Sequence, residues 1–260
     1  MHTLASPAAA PTAVTRSAYR LRLAADDADL RAAQALRFAV FNLELKEGHA
    51  QSYATGLDAD RFDAVCDHLI VEDDATGAVV GTYRLQSGAR AARAHGYYSE
   101  REFDFAPFEP LRGELVELGR ACVHAQHRSF AVLNLLWTGI ADYARERGAR
   151  WLIGCSSLPT VDAAVGAAAW QQLAQGHLAA AALRTRPTSA FACPLVPVAP
   201  VAPKIPRLLA TYLALGAVVC GPPAIDREFR TIDFLTLADL QSSALRGFQA
   251  RGRFAGGAMR

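Results

Sequence analysis

The order of hydrophobic patterns predicts an α/β fold: a mixed, splayed β-sheet flanked by helices, with an additional helical segment in the second half. Three observations carry this. Apolar–polar alternation marks an early strand, and a hairpin follows an intervening helical stretch. A central strand, a long amphipathic helix and a short apolar strand come next, and that order sets parallel pairing. The second half is rich in alanine, then in proline. Antiparallel first strands followed by a parallel pair predict a sheet that opens between two central strands.

Taken in order, Tyr19–Ala24 alternates and reads as a strand. Asp26 to Asp29 supply capping side chains for a helix over 30–45. The polar stretch 46–64 reads as a loop or broken helix, and 68–72 and 79–85 form a hairpin around Asp73-Asp-Ala-Thr-Gly77. Residues 87–113 are mixed. Residues 114–123 form the central strand, with a bulge expected at Gly119. A helix over 129–147 stops at Gly148, and a buried strand follows at 151–155. An Ala-rich helix over 161–183, an irregular connector over 186–206 and a helix over 205–215 build the helical and Pro-rich extension, 163–215. Strands at 217–220 and 234–237 flank Gly221-Pro-Pro223. Residues 1–17, rich in Ala, Pro and Thr, read as a flexible tail; 18–240 as the body; 241–260, with Arg246, Arg251, Arg253 and Arg260 and no acid, as a basic tail.

Composition excludes several classes. With 27 basic and 25 acidic residues the formal charge is only +2, so nucleic acid is not an expected partner. The five cysteines are odd in number and contain no CxxC pair, which argues for reduced, packed thiols and a cytoplasmic protein. No stretch has the eighteen or so uninterrupted apolar residues of a membrane span. Any contact with a membrane is therefore expected to be peripheral, at the inner membrane surface.

Several charged residues interrupt apolar patterns. Arg37 and Phe41 share a helical face; Asp60 and Asp63 sit in the loop that follows; Arg84 stands inside a strand; Glu117 and Arg120 lie within the central strand. A charge inside a buried strand costs several kcal/mol unless it is paired. A mutual cluster of Arg37, Arg84 and Arg120 with Asp60, Asp63 and Glu117 is the expected solution, either as a working site or as a structural salt network. His124 and His127 lack the companions of a metal site, so no metal is expected. Ser156-Ser157 reads as a turn and helix cap rather than a nucleophile.

The ordered set Arg37-x-x-x-Phe41, Asp60-x-x-Asp63, Gly81-Thr-Tyr-Arg84 and Glu117-Leu-Gly-Arg120 resembles that of acyl-homoserine-lactone synthases. The fuller resemblance, over residues 19 to 240, is to the ornithine-lipid N-acyltransferases. It rests on Cys66-Asp-His-Leu-Ile-Val71, Val80-Gly-Thr-Tyr-Arg-Leu85, Glu117-Leu-Gly-Arg-Ala-Cys-Val-His124, Leu136-Trp-x-Gly-Ile140, Gly154-Cys-Ser-Ser157 and Cys220-Gly-Pro-Pro-Ala224. This resemblance implies a GNAT-like fold and a (3-hydroxy)acyl donor on the 4′-phosphopantetheine arm of acyl carrier protein, with no bound cofactor. It implies transfer to the α-amine of ornithine, a small amino-acid substrate, giving lyso-ornithine lipid.

The chemistry then asks for a base, with Glu117 the candidate and Arg120 beside it. Oxyanion donors are expected from backbone N–H groups at the bulge. Arg84 or Arg37 suits the acceptor carboxylate, and Asp60 or Asp63 a second ammonium, with Phe41 alongside. Where coenzyme A enzymes of the fold carry glycines, this chain reads Val123-His-Ala-Gln-His-Arg-Ser-Phe130. That weakens a coenzyme A donor and leaves Ala121, Val123, Arg128 and the next helix N-terminus to hold a single phosphate. Two other readings stay open: a related N-acyl amino acid or acyl-homoserine-lactone synthase, and, because relatives are often labelled haemolysin-like, a membrane-active protein. The missing amphipathic cationic segment opposes the last.

Overall fold

The computed structural model describes residues 18–195 and 203–247. The tail at 1–17, part of the Pro-rich connector and the end of the basic tail lie outside them. β1 (Tyr19–Leu23) leads to α1 (Asp27–Arg37), whose first turn is capped by Asp26 accepting from the N–H groups of Ala28 and Asp29. The helix does not stop at Arg37; it widens into a π-helical stretch, Phe38–Glu44. β2 (Asp67–Asp73) and β3 (Val79–Ser87) form the expected hairpin. A six-residue helix, α2 (Gly88–Arg93), and two 3₁₀ turns precede β4 (Leu115–Val123). Then come α3 (Phe130–Glu146), β5 (Trp151–Leu158), α4 (Ala163–Gly176), α5 (Arg207–Ala214), β6 (Val218–Val219), β7 (Ala224–Asp226) and β8 (Thr231–Asp239).

The strands make one sheet in the order β1-β2-β3-β4-β5-β8-β6, with β7 also on β8. Among the described strands β4 and β5 pair in parallel, as the strand–helix–strand order required, and the other strand pairs are antiparallel. α3 covers one face: Leu136, Trp137 and Ile140 pack on Leu69, Leu85 and Val116. Opposite it, α1 lies over β3 and β4, and the aromatics Tyr97, Phe103 and Phe108 pack on Leu115 and Ile153. α4 and α5 close the far end against β8.

Several boundaries differ from the sequence reading, for physical reasons. The Ala-rich helix ends at Gly176, because Leu178 leaves it to bridge Val219. β5 runs on to Leu158 because β8, at 231–239 longer than expected, pairs along its whole length. Ser156 and Ser157 are thus strand residues, not a cap; the cap of α4 is Asp162. Beyond Gln241 the chain turns back and inserts Leu245, which is 1% exposed, into the core. The described part of that tail is therefore anchored at Leu245, while Arg246 stays exposed.

Candidate active site

β4 and β5 pair at only three positions, Leu115–Glu117 against Trp151–Ile153. Beyond Glu117 the two part. Gly154 approaches Leu118 so closely that a Cβ would meet its carbonyl oxygen at 2.2 Å, so this contact admits only glycine. On the other side of β4 the register with β3 slips between Thr82/Cys122 and Arg84/Gly119, which puts one extra residue in β4. The residue forced into the left-handed region is Arg120, at φ 49, and not Gly119. For an arginine that conformation costs on the order of 1–2 kcal/mol. The reward is that its guanidinium turns inward to a buried network.

That network joins three arginines to three aspartates. Arg37, wholly buried, reaches Asp58 at 2.9 Å and Asp63 at 2.6 Å. Arg84 donates through Nη1 to Asp60 at 2.6 Å and Asp63 at 3.0 Å. Arg120 reaches Asp58 at 3.3 Å and Asp60 at 3.1 Å. The six charges cancel. The arginines outweigh burial and hold Asp60 and Asp63 below the usual carboxylate range. Arg120 also donates to Nε2 of His49 at 3.3 Å, and its guanidinium lies between the rings of Tyr98 and Phe229.

The structure gathers the expected arginines with Asp60 and Asp63, but the third acid is Asp58, not Glu117. Asp58 follows Gly56-Leu57, where an aspartate reads as turn chemistry. Glu117 instead accepts from the backbone N–H groups of Tyr98 at 2.7 Å and Ser99 at 2.8 Å, and from the Ser99 hydroxyl. Burial pushes its carboxyl up, and these donors and Arg84 oppose the shift.

A cavity of about 330 Å³ runs through the splay. Its polar chamber is walled by Glu117, Arg84, Arg120, Tyr98, Ser99 and Phe41, on the α1 face of the sheet. Its apolar arm lies on the α3 face, between Trp137, Leu152, Tyr212, Leu215, Ala238 and Leu245. α5 thus lines the arm, whereas α4 contributes none of its residues. Of the residues expected on the donor side, Ala121 lines the cavity. The Val123 carbonyl accepts from Arg128 Nε at 3.1 Å, and Arg128 makes two bonds to Glu44, at 2.6 and 2.7 Å. His124 caps the turn that follows β4, accepting from Gln126 N–H at 3.4 Å. Arg37 and Asp63 are sealed away from the cavity.

Residues 36–138 match the acetyltransferase (GNAT) domain family. The chain is 35% identical over 235 residues to the L-ornithine N(alpha)-acyltransferase of Rhodobacter capsulatus, covering 86% of this chain and 91% of the relative. It belongs to the L-ornithine N(alpha)-acyltransferase family. The Agrobacterium fabrum member is 34% identical over 243 residues, with 86% and 82% covered. Among solved structures, an N-acyl amino acid synthase from uncultured soil microbes, FeeM, superposes with a TM-score of 0.54 at 13% identity, covering 91% of this chain and 97% of that one. The acyl-homoserine-lactone synthase LasI gives 0.52 at 14%, covering 88% and 95%. The fold is that of the GNAT acyltransferases, and this family member is an acyltransferase.

Its polar chamber has a second charged region that the sequence reading missed. Asp226 and Asp233 line the cavity, and Glu102 lies beside them. Each follows or precedes an apolar residue in a strand or aromatic segment, the same signal that picked out Glu117. Burial pushes the Asp233 carboxyl to about 6 and Glu102 well above the carboxylate range. Glu47, on the chamber wall, is pushed to about 7 by burial and by Asp233. Acids raised in the folded state hold protons that the unfolded chain has released. Stability of the acyltransferase is therefore expected to fall as pH climbs from about 4 through 7. Asp60 and Asp63, held low, act only below that window. At about 1.4 kcal/mol per pKa unit and roughly 2–4 °C per kcal/mol, thermal melts between pH 5 and 8 should drop by at least about 3 °C. A flat or rising Tm contradicts the assignment.

Proposed function

We propose that the chain moves a (3-hydroxy)acyl group from the 4′-phosphopantetheine arm of acyl carrier protein to the α-amine of L-ornithine, giving lyso-ornithine lipid. The observation that carries this is the single cavity with a charged chamber on one face of the sheet and an apolar arm on the other, joined at Glu117. The charged chamber suits an amino acid and the arm suits an acyl chain. The name shared by the relatives supports ornithine as the acceptor.

In this reading Glu117 takes a proton from the α-ammonium, directly or through one water. The freed amine attacks the thioester carbonyl. The tetrahedral oxyanion accepts from N–H groups at the bulge, Gly119 to Ala121. Collapse breaks the C–S bond, and the departing thiolate recovers a proton. Arg84 and Arg120 face the α-carboxylate, with Phe41 beside them. Arg37, Asp60 and Asp63 act one step back, by fixing those two guanidiniums. Transfer in this reading is direct; burial raises the Cys155 thiol well above its ordinary range, which disfavours a thiolate acyl carrier.

Ala121 and Val123 flank the pantetheine, and Arg128 exchanges Glu44 for its phosphate. Among the described residues no helix is long and apolar enough to cross a membrane. Leu43, Leu45 and Phe130 are 48%, 45% and 74% exposed around the Glu44–Arg128 pair. They support peripheral contact of a cytoplasmic enzyme with the inner membrane surface only as an apolar patch that such a contact would cover. The test is to incubate the full chain with 3-hydroxyacyl carrier protein and a panel of amino acids and to weigh the products. N-acylornithine as the main product is expected; no acylated amine from any acceptor would refute the reading.

A further inference from the structure

Asp60 and Asp63, the acids expected to meet a second ammonium, are consumed by arginines. A different set is free. Glu102, Asp226 and Asp233 are 0%, 1% and 3% exposed, and one carboxylate oxygen from each falls within 4.8 Å of the others. Among the described residues, no arginine, lysine or histidine forms an ion pair with any of them. Asp226 is largely satisfied: its Oδ1 accepts from the N–H groups of Glu228 and Phe229, and its Oδ2 from the Tyr98 hydroxyl at 3.2 Å. Asp233 is less so. Its Oδ2 accepts from Thr231 at 3.1 Å, and its carboxyl interacts with the Ser157 hydroxyl and the Glu102 carboxyl, while Oδ1, buried on the cavity wall, has no partner within strict hydrogen-bond geometry. Oε1 of Glu102 has none either.

Three desolvated carboxyls with two under-satisfied acceptor oxygens and no ion-pair partner can be ionised together only at a cost, and so retain protons while the chamber lacks a cation. Their ionisation becomes favourable when a cation enters. The cluster also lies close to the proposed base. Cys155 touches Ser99 Oγ at 3.6 Å and Glu102 Oε2 at 3.7 Å, and Ser99 donates to Glu117. A divalent metal asks for about six oxygen ligands, and four of the six carboxylate oxygens here already accept from N–H, O–H or S–H donors. An ammonium asks for three acceptors. Two open carboxylate oxygens and the hydroxyl-bound edge of Asp226 meet that number.

We propose that Glu102, Asp226 and Asp233 form the subsite for the side-chain ammonium of a diamino-acid acceptor, so that the acceptor lies with its α-amine at Glu117 and its far amine at Asp233. This rests on the reading of the chain as an N-acyltransferase of ornithine. It makes a longer or shorter diamine a poorer fit and makes charge, not size alone, the basis of selection.

The test compares L-ornithine with L-norvaline, which has the same carbon chain and no second amine, using 3-hydroxyacyl carrier protein and the full chain. In the wild type the ratio of kcat/KM for ornithine over norvaline is high. In Asp233→Asn and in Glu102→Gln it is expected to fall by about tenfold or more, the value of one charge-assisted hydrogen bond. Asp233→Asn removes a desolvated buried carboxyl and Glu102→Gln replaces one that burial already keeps protonated, so thermal melts should show folded proteins with Tm at or above the wild type. Calorimetric titration supplies the binding side: ornithine binds the wild type and binds both variants at least about tenfold more weakly. An unchanged ratio in both variants overturns the subsite while leaving ornithine acylation standing. Failure of the wild type to acylate ornithine defeats the proposed function, and failure to bind it defeats the subsite as well. A Tm rise with Mg²⁺ or Ca²⁺ that Asp233→Asn abolishes assigns the cluster to a metal and overturns the proposal.

Discussion

Glu117→Ala is expected to lower kcat by about 10²–10⁴-fold, the range for loss of a positioned general base. Glu117 also ties down the Tyr97–Arg101 segment through Tyr98 and Ser99, so some loss of stability accompanies the change. A purely structural role and a catalytic one separate in the pH profile. In the wild type kcat rises as Glu117 ionises, with a midpoint above the ordinary carboxylate value because burial dominates. In Glu117→Ala that limb should vanish while the melt stays cooperative. Near full activity in the variant, or an unmoved acid limb, refutes the assignment.

Arg37→Met is expected to cost about 3–5 kcal/mol of folding stability, read by urea titration. The change removes one of three arginines from a neutral buried set and strands Asp58 and Asp63 without it. The charged state then becomes so costly that one aspartate is expected to bind a proton instead. Arg37→Met combined with Asp63→Asn restores the balance and should lose less than the single change. A single variant as stable as the wild type shows that the network does not hold the α1–β3–β4 junction together.

Much of this arrangement was readable from residue types alone. Arg84, Glu117 and Arg120 break apolar strand patterns, and buried charge needs a reason; the parallel β4–β5 pair followed from a helix between two strands. What stayed hidden depended on geometry that has no local signature. Asp58 resembles a turn residue until the loop folds under α1. The extra residue in β4 pointed to Gly119, since glycine is the usual left-handed residue, yet the arginine takes that conformation because two acids and two rings await it. Asp226 and Asp233 obeyed the same rule as Glu117 but stood far along the chain, where only the return of β8 beside β5 brings them to the cavity. Ser156 and Ser157 looked like a cap because the length of β8, and so of β5, is a tertiary matter.

The three-arginine, three-aspartate set has an evolutionary consequence. Each member pairs with two others of opposite sign, and most of the set is buried, with little solvent to absorb an imbalance. Drift at one position leaves an unpaired ion inside the protein, so single steps are closed and only compensated double steps are open. Descendants that differ at position 37 should therefore also differ at 58 or 63, and these sites should change together along a lineage or hardly at all.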